Sequence, residues 1–254
     1  MVNYKVSIIT CVFNRIKTIE YALESVKSQT YSNIEHIIID GGSTDGTIQI
    51  IKNYIKNINY DHKFVSEKDK GIYDALNKGI NISSGHIIGF LHSDDIFNSN
   101  STIEELVKII KQKNVDAIYG DLKYFYLKNN SRKYFRIWKS GLFKRIKLFY
   151  GWMPPHPTFF AQSHVYEEIG NFDTTFKISA DYDFLLRFFL RAEFSSYYIN
   201  DYISNMLEGG ASNGSISKQI QKIIEDYKAL KKNKFGFIFT PFLKKLRKLH
   251  QFLN

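Results

Sequence analysis

The first half of the chain alternates runs of β-branched and apolar residues with segments whose apolar residues recur at helical spacing. The runs predict buried strands, and the spacing of three or four positions between them predicts amphipathic helices. This strict alternation is typical of an α/β fold with a mostly parallel sheet flanked by helices. The predicted strands are 5–13, 34–40, 63–67, 86–91 and 115–121, and the predicted helices are 16–30, 44–54, 71–83 and 101–112.

Beyond residue 121 the alternation weakens. A further strand is predicted at 124–127, a short helix at 163–173 and a strongly apolar helix at 180–192. The last residues, 241–253, predict a basic amphipathic helix, since apolar and basic residues fall on opposite sides. The apolar side holds Phe242, Leu246, Leu249 and Leu253, and the basic side holds Lys244, Lys245, Arg247 and Lys248.

The net charge of +10 is concentrated in two stretches of the 254 residues. Residues 122–166 contain nine Lys or Arg and no acid, and residues 228–254 contain eight and no acid. The rest of the chain has seven more acids than bases. Basic, aromatic-rich stretches of this kind predict an anionic partner, which could be a phosphate-bearing lipid, a membrane or a nucleic acid.

The cysteine content and the apolar stretches indicate the compartment. Cys11 is the single cysteine, so no internal disulfide can form and a reducing compartment is expected. The first residues show no signal-peptide pattern, and the uncharged stretches are too short or too polar to span a bilayer. We therefore expect a cytoplasmic protein, either soluble or peripheral at the inner face of a bacterial membrane.

Polar residues follow each of the first four predicted strands. In a parallel sheet the carboxyl ends of the strands meet at one edge, where ligands bind. Adjacent carboxylates such as Asp94 and Asp95 are costly unless a cation joins them. Oxygen ligands suit Mg²⁺ or Mn²⁺, which bind one or two carboxylates together with phosphate oxygens of a substrate. The sequence thus predicts a divalent metal that arrives with a diphosphate. The polar positions are 10–14, Asp40, 67–69 and 93–95.

Five motifs, in this order, resemble the family 2 glycosyltransferases with the GT-A (Rossmann-like) fold. The resemblance covers residues 4–190 and is strongest to bacterial enzymes that build capsule, O-antigen (lipopolysaccharide) or exopolysaccharide. It implies one domain over 1–215, with a nucleotide-binding half (1–121) and an acceptor-binding half (122–215), followed by a basic helical segment (216–254). The motifs are VSIITCVFNR (6–15), IIIDGGSTDGT (37–47), SEKDKGIYDALNKGI (66–80), IIGFLHSDD (87–95) and HPTFF…GNFD…SADYDFLLR (156–187).

The resemblance also implies roles for individual residues. LHSDD corresponds to the D-x-D metal motif, with Asp95 as the direct ligand of Mn²⁺ or Mg²⁺ and His92 in place of the leading acid. SADYD corresponds to the motif that supplies the catalytic base, with Asp181 as the base and Ala180 in place of a glutamate. His156 and Asp183 are candidates for contact with the acceptor or the diphosphate. The implied nucleotide-binding residues are Thr10, Val12, Asn14, Asp40, Asp69, Gly71, Asn77 and Asp94.

The implied reaction is an inverting, metal-dependent transfer of a hexosyl or N-acetylhexosaminyl group. The donor would be a nucleotide diphosphate sugar, with UDP the expected nucleotide. The acceptor would be a hydroxyl of a glycan or of an undecaprenyl-diphosphate-linked saccharide. The basic C-terminal segment would then contact the membrane surface.

Simpler interpretations remain open for each feature. Asp94 and Asp95 could simply begin a polar loop, Asp181 could simply complement a helix dipole, and the basic stretches could be solvated lysines.

A nucleotidyltransferase-like enzyme would need a glycine-rich loop after the first strand, which CVFNRIKT lacks. A non-catalytic membrane- or nucleic-acid-binding protein would not need acids after successive strands, and we expect no nucleic acid partner. An inactive family member, suggested by His92 and Ala180, is harder to exclude.

Overall fold

The computed structural model describes residues 3–129, 131–208, 216–247 and 251. Within these residues nine strands form one mixed sheet, in the order β3-β2-β1-β4-β8-β6-β9-β5, with β7 paired to β6. The strands are β1 (Val6–Val12), β2 (Ile34–Asp40), β3 (Asp61–Ser66), β4 (Ile87–Phe90), β5 (Asp95–Phe97), β6 (Ala117–Lys128), β7 (Ser131–Trp138), β8 (Phe160–Gln162) and β9 (Ser196–Leu207). The helices are α1 (Ile19–Lys27), α2 (Thr47–Ile55), α3 (Ile72–Ile82), α4 (Thr102–Lys113), α5 (Ser163–Ile169), α6 (Ala180–Leu190), α7 (Ile216–Lys232) and α8 (Thr240–Arg247), with 3₁₀ turns at Arg145–Tyr150 and His156–Thr158.

The first four strands are parallel, and their carboxyl ends lie at one edge of the sheet. β1 pairs with both β2 and β4, and β2 pairs with β3. β1 and β2 are buried along their whole length because helices cover both faces of the sheet. Ile9 and Ile37 pack with α3 on one face, whereas Val12 and Ile38 pack with α1 and α2 on the other. The α/β prediction and the first four predicted strands are confirmed.

The predicted fifth strand is wrong in its extent. The runs at 115–121 and 124–127 belong to one strand, β6, and β6 does not lie beside β4. The three-residue strand β8 lies between them and is antiparallel to both. Gly89 makes room for it, because a Cβ at Gly89 would lie 2.0 Å from Cε1 of Phe160. Three residues are too few to show a periodicity, so no pattern in the sequence predicts β8.

The predicted C-terminal helix forms as α8, but one residue of its predicted basic side is buried. Lys244 has its Nζ 2.8 Å from Oδ1 of Asp226 and above the ring of Tyr182. Phe242 and Leu246, on the predicted apolar side, are 54% and 61% exposed. The buried carboxylate of Asp226, on α7, explains the burial of Lys244, because it supplies the counter-charge. Lys248, Leu249 and Leu253 lie outside the described residues.

Among the described helices, none combines the length and the apolar character required to cross a lipid bilayer.

Candidate active site

The loop after β2 is organised by Asp40. Its Oδ2 accepts hydrogen bonds from the backbone N–H groups of Gly42 and Ser43, both at 3.0 Å, and from the hydroxyl of Ser66 at 2.7 Å. Its Oδ1 is buried and has no hydrogen-bond partner. Asp40 thus shapes the carboxyl edge of the sheet with one oxygen, whereas its other oxygen is buried without a partner among the described residues.

The loop after β1 is tied to the same turn through Asn14. The Asn14 backbone N–H donates to the hydroxyl of Ser43 at 2.8 Å, and its side-chain oxygen accepts from the Thr44 N–H at 2.9 Å. Asn14 has a φ of 51°, a left-handed conformation that asparagine tolerates better than most residues. The two loops therefore form one connected rim, as expected for neighbouring parallel strands.

The third loop lies against this rim. Asp69 accepts a hydrogen bond from the Gly71 N–H at 2.9 Å, and its Oδ2 would lie 2.4 Å from a Cβ at Gly41. Gly71 precedes α3 with a φ of 125° and has open space where a Cβ would point. A glycine is needed there for its backbone conformation rather than for lack of room. Asp69 and Gly71 thus lie beside the turn that Asp40 organises.

The side chains of Thr10 and Val12 do not reach this edge. The Thr10 hydroxyl is buried 3.0 Å from Nε2 of His36, and Val12 packs in the cluster between β1, β2, α1 and α2. Their place in the core means that a nucleotide could meet only the backbone at these two positions.

Asn77 is also engaged within the protein. Its Nδ2 donates to the Phe172 carbonyl at 2.8 Å, and its Oδ1 accepts from the Phe172 N–H at 3.0 Å. The resemblance implied that Asn77 faces the nucleotide, whereas the structure gives its amide a tie between α3 and the segment before α6.

Replacing Asn77 with alanine is expected to lower the free energy of unfolding by about 2 kcal/mol, since two hydrogen bonds are lost and backbone groups are left unpaired. Nucleotide affinity should not change. Denaturant unfolding and calorimetric nucleotide titration would measure both quantities. Asn81→Ala is the matched control, because Asn81 is exposed on the same helix and its side chain, among the described residues, accepts a hydrogen bond from the side chain of Asn171 rather than from the backbone. Weaker nucleotide binding at unchanged stability would instead support a role in the donor pocket.

The acids after β4 occupy two different environments. Asp94 is half-buried, whereas Asp95, the first residue of β5, is fully buried. Among the described residues, neither side-chain oxygen of Asp95 has a hydrogen-bond partner at ordinary distance. Burial, and then the charge of Asp94, raises the pKa of the Asp95 carboxyl well above its usual value, against the opposing effect of the Leu207 backbone N–H. The described part of the chain supplies no positive partner for this buried group.

Asp181 lies in the first turn of α6. Its Oδ1 accepts a hydrogen bond from the Tyr182 N–H at 2.8 Å and lies 3.3 Å from the hydroxyl of Tyr73, which donates to the Ile178 carbonyl at 2.6 Å. Burial acts to raise the pKa of the Asp181 carboxyl, but His156, two lysines and the Tyr182 N–H outweigh it and hold the pKa below its usual value. Asp181 is therefore an ionised carboxylate that can accept a proton.

Two histidines lie between Asp94 and Asp181. The rings of His92 and His156 have centroids 6.1 Å apart, and His156 stacks on Phe90. Burial lowers the pKa of His92, against the opposing effect of Asp94 and then Asp181. Burial likewise lowers the pKa of His156 to about 4, and its buried Nε2 has no hydrogen-bond partner within the part of the chain that the structure describes. The structure thus brings the LHSDD turn, His156 and Asp181 into one cluster.

Asp183 has a different role from the one that the resemblance suggested. It is fully buried and accepts from Arg187 at 3.0 Å, Lys232 at 3.1 Å and Asn233 at 3.0 Å. These contacts fix α6 to α7 and leave Asp183 unavailable to an acceptor.

Glu225, on α7, is a residue that the sequence did not single out. Its Oε2 accepts three backbone N–H groups at 2.8–3.1 Å, from Lys177, Ile178 and Ser179, just before α6. It therefore holds the start of the helix that carries Asp181. The contact joins residues at least 46 positions apart, and no local motif marks it.

Comparisons with known sequences agree with this arrangement. The family model described as glycosyl transferase family 2 matches residues 7–178. A PGL/p-HBAD biosynthesis glycosyltransferase of Mycobacterium bovis is 28% identical over 218 residues, which are 85% of this chain and 82% of the relative. An uncharacterised glycosyltransferase of Mycobacterium tuberculosis is 33% identical over 185 residues, which are 72% of this chain and 68% of the relative.

Solved structures share the fold. TarS 1–349 of S. aureus, in complex with UDP-GlcNAc, has a TM-score of 0.68 at 18% identity, covering 90% of this chain and 65% of that chain. The mannosyltransferase PcManGT of Pyrobaculum calidifontis, in complex with GDP-Man and Mn²⁺, has a TM-score of 0.67 at 19% identity, covering 97% and 70%. The chain spans 43% of a longer TarS structure. At these identities the likeness establishes the fold.

Proposed function

Because the chain belongs to glycosyl transferase family 2, we propose that it is an inverting, metal-dependent glycosyltransferase that uses a nucleotide diphosphate sugar. The acceptor would be a hydroxyl of a glycan or of a lipid-linked saccharide in surface polysaccharide biosynthesis. The observation that carries the proposal is the gathering of the LHSDD turn, His156 and Asp181 in one cluster. The rings of His92 and His156 lie 6.1 Å apart, and the Asp181 carboxyl is close enough to act on the pKa of both.

The donor would bind at the rim formed by the first three loops. Asp40 has an unpartnered oxygen there, and Asp69 lies beside the same turn. Carboxylate oxygens can accept hydrogen bonds from a base or from ribose hydroxyls. The two fold relatives carry UDP-GlcNAc and GDP-Man, so uridine and guanosine are the nucleotides to compare. We favour UDP.

The acids after β4 fit a divalent cation. Asp95 would hold Mn²⁺ or Mg²⁺ through its unpartnered oxygens, and the more accessible Asp94 would contact the donor. In the described part of the chain, no group of three or more His, Cys, Asp or Glu is placed to hold a metal. Diphosphate oxygens and water would complete the coordination, as is usual for Mg²⁺. When bound, the cation would neutralise the negative charge that develops on the leaving nucleoside diphosphate.

Asp181 would act as the general base. Its Oδ1 is held by Tyr182 and Tyr73, and among the described residues nothing donates to its Oδ2. Oδ2 would take the proton of the acceptor hydroxyl while the hydroxyl oxygen attacks the anomeric carbon. The new bond forms on the face opposite the departing diphosphate, so a single displacement inverts the anomeric centre and needs no nucleophile on the enzyme.

Calorimetric titration of UDP and GDP, first with Mn²⁺ and then with EDTA, tests the donor site. We expect UDP to bind more tightly than GDP, and EDTA to weaken UDP binding by at least about tenfold, which corresponds to 1.4 kcal/mol. Equal binding with and without metal would remove the cation from the proposal. Absence of binding by either nucleotide in Mn²⁺ would contradict a uridine or guanosine donor.

A further inference from the structure

The segment that leads into α8 exposes large apolar side chains to solvent. Phe237, Ile238 and Phe239 are 64%, 61% and 68% exposed, and Phe242 and Leu246 continue the exposed apolar side of the helix. A soluble monomer seldom leaves so many large side chains together on its surface unless they bind a partner.

The 3₁₀ turn Arg145–Tyr150 extends this surface. Ile146 and Tyr150 are exposed within it, and Leu142 is exposed just before it. Phe149 joins the two segments, because its carbonyl accepts from the Thr240 hydroxyl at 3.0 Å and its ring packs against Phe235 and Phe237. We refer to the result as the apolar face. It consists of Leu142, Ile146, Tyr150, Phe237, Ile238, Phe239, Phe242 and Leu246.

A basic cleft opens between the same two segments. Its volume is about 480 Å³, and Lys139, Lys147 and Arg247 line it together with aromatic and aliphatic side chains. Over the described residues, no acid lies within ion-pair distance of these three cations. Burial and then the neighbouring charges of Arg247 and Lys144 lower the pKa of Lys147. The Asp121 carboxylate interacts with Lys139 only beyond ion-pair distance. Like charges gathered with no paired acid favour an anion in the cleft.

We propose that the apolar face docks on an anionic lipid bilayer, with its Phe and Ile side chains in the head-group region and lipid phosphate in the basic cleft. The arrangement goes beyond the predicted amphipathic helix, since Lys244 is buried and the exposed apolar side chains come also from residues 142–150 and 237–239. The proposal concerns lipid binding alone and does not depend on the catalytic assignment.

The charge distribution favours a lipid surface over a second copy of the chain. Both segments come from stretches that contain only basic charged residues, so two copies placed face to face would repel each other. Exposed apolar side chains flanked by lysine and arginine are the pattern of interfacial segments that bind anionic lipid.

Flotation of the purified chain with phosphatidylglycerol–phosphatidylcholine vesicles, and with phosphatidylcholine vesicles alone, would test the proposal. We expect binding to the anionic vesicles. Binding to the neutral vesicles should be weaker by at least about fivefold for each lysine or arginine that no longer meets an anionic lipid. Phe239→Ser with Phe242→Ser should weaken binding by about 100-fold, at about tenfold for each phenylalanine removed from the interface. Lys139→Gln with Lys147→Gln should weaken it by about 25-fold, on anionic vesicles only.

Tyr21→Ser and Lys17→Gln are the matched controls, since both residues are exposed at or before α1, in the parallel half of the sheet. They should float like the wild type, and thermal melts would establish that every variant is folded. Failure of the wild type to float with anionic vesicles would overturn the proposal. So would a double phenylalanine variant that is folded and floats unchanged, or self-association in solution that the phenylalanine substitutions abolish.

Discussion

Replacing Asp181 with asparagine is expected to lower turnover by about 10²- to 10⁴-fold, the usual contribution of a general base. Asparagine keeps the shape of the side chain and can still accept from the Tyr182 N–H, so the start of α6 should remain in place. What it loses is the carboxylate proposed to take the acceptor's proton. Nucleotide affinity should be unchanged, because the proposed donor site is formed by the loops after β1 to β4.

Turnover at saturating donor, paired with calorimetric nucleotide binding, would measure the two effects separately. Asp201→Asn is the control for removal of a carboxylate, since Asp201 is exposed on β9. Asp183→Asn should behave differently from both, because it breaks a buried ion network and should cost about 3–5 kcal/mol of stability. Near-normal turnover in Asp181→Asn would remove Asp181 from its role as base.

The sequence was sufficient to predict the parallel half of the sheet and the edge at which the acids gather. Runs such as 34–40, in which four of the seven residues are isoleucine, are separated by helices, so both the strands and their direction follow from local pattern. Once the strands are parallel, Asp40 and Asp94 must lie at the same edge. That the loops join there is confirmed by the contacts of Asn14 with Ser43 and Thr44.

Features set by contacts between distant residues could not be predicted in this way. β5 and β8 have three residues each, too few for a periodic signal, and β9 is half-exposed and follows no simple alternation. The sequence pattern places Lys244 on the basic side of its helix, but Lys244 is buried because Asp226 supplies its counter-charge. Glu225 carried no motif, although it holds the segment before Asp181. In each case a partner many positions away decides the role.

Replacing Asp95 with asparagine is expected to maintain or raise the stability of the metal-free protein and to reduce the stability gained on binding metal and nucleotide. In EDTA the variant should be as stable as the wild type or more stable, because a fully buried carboxylate with two unpartnered oxygens is costly to fold. With Mn²⁺ and UDP at about 100 times the dissociation constant, the wild type should gain about 2.7 kcal/mol. That gain corresponds to a rise of about 5–10 °C in melting temperature, and the variant should show little of it.

Thermal unfolding in EDTA, and then in Mn²⁺ with UDP, would measure both effects on the same samples. Asp94→Asn is the informative comparison, since Asp94 is half-buried and its removal relieves no fully buried charge. It should weaken the response to ligand without raising stability in EDTA. If Asp95→Asn were less stable in EDTA and still responded fully to Mn²⁺, the carboxylate would be a structural element of β5. Its unpartnered oxygens would then not be explained by a cation.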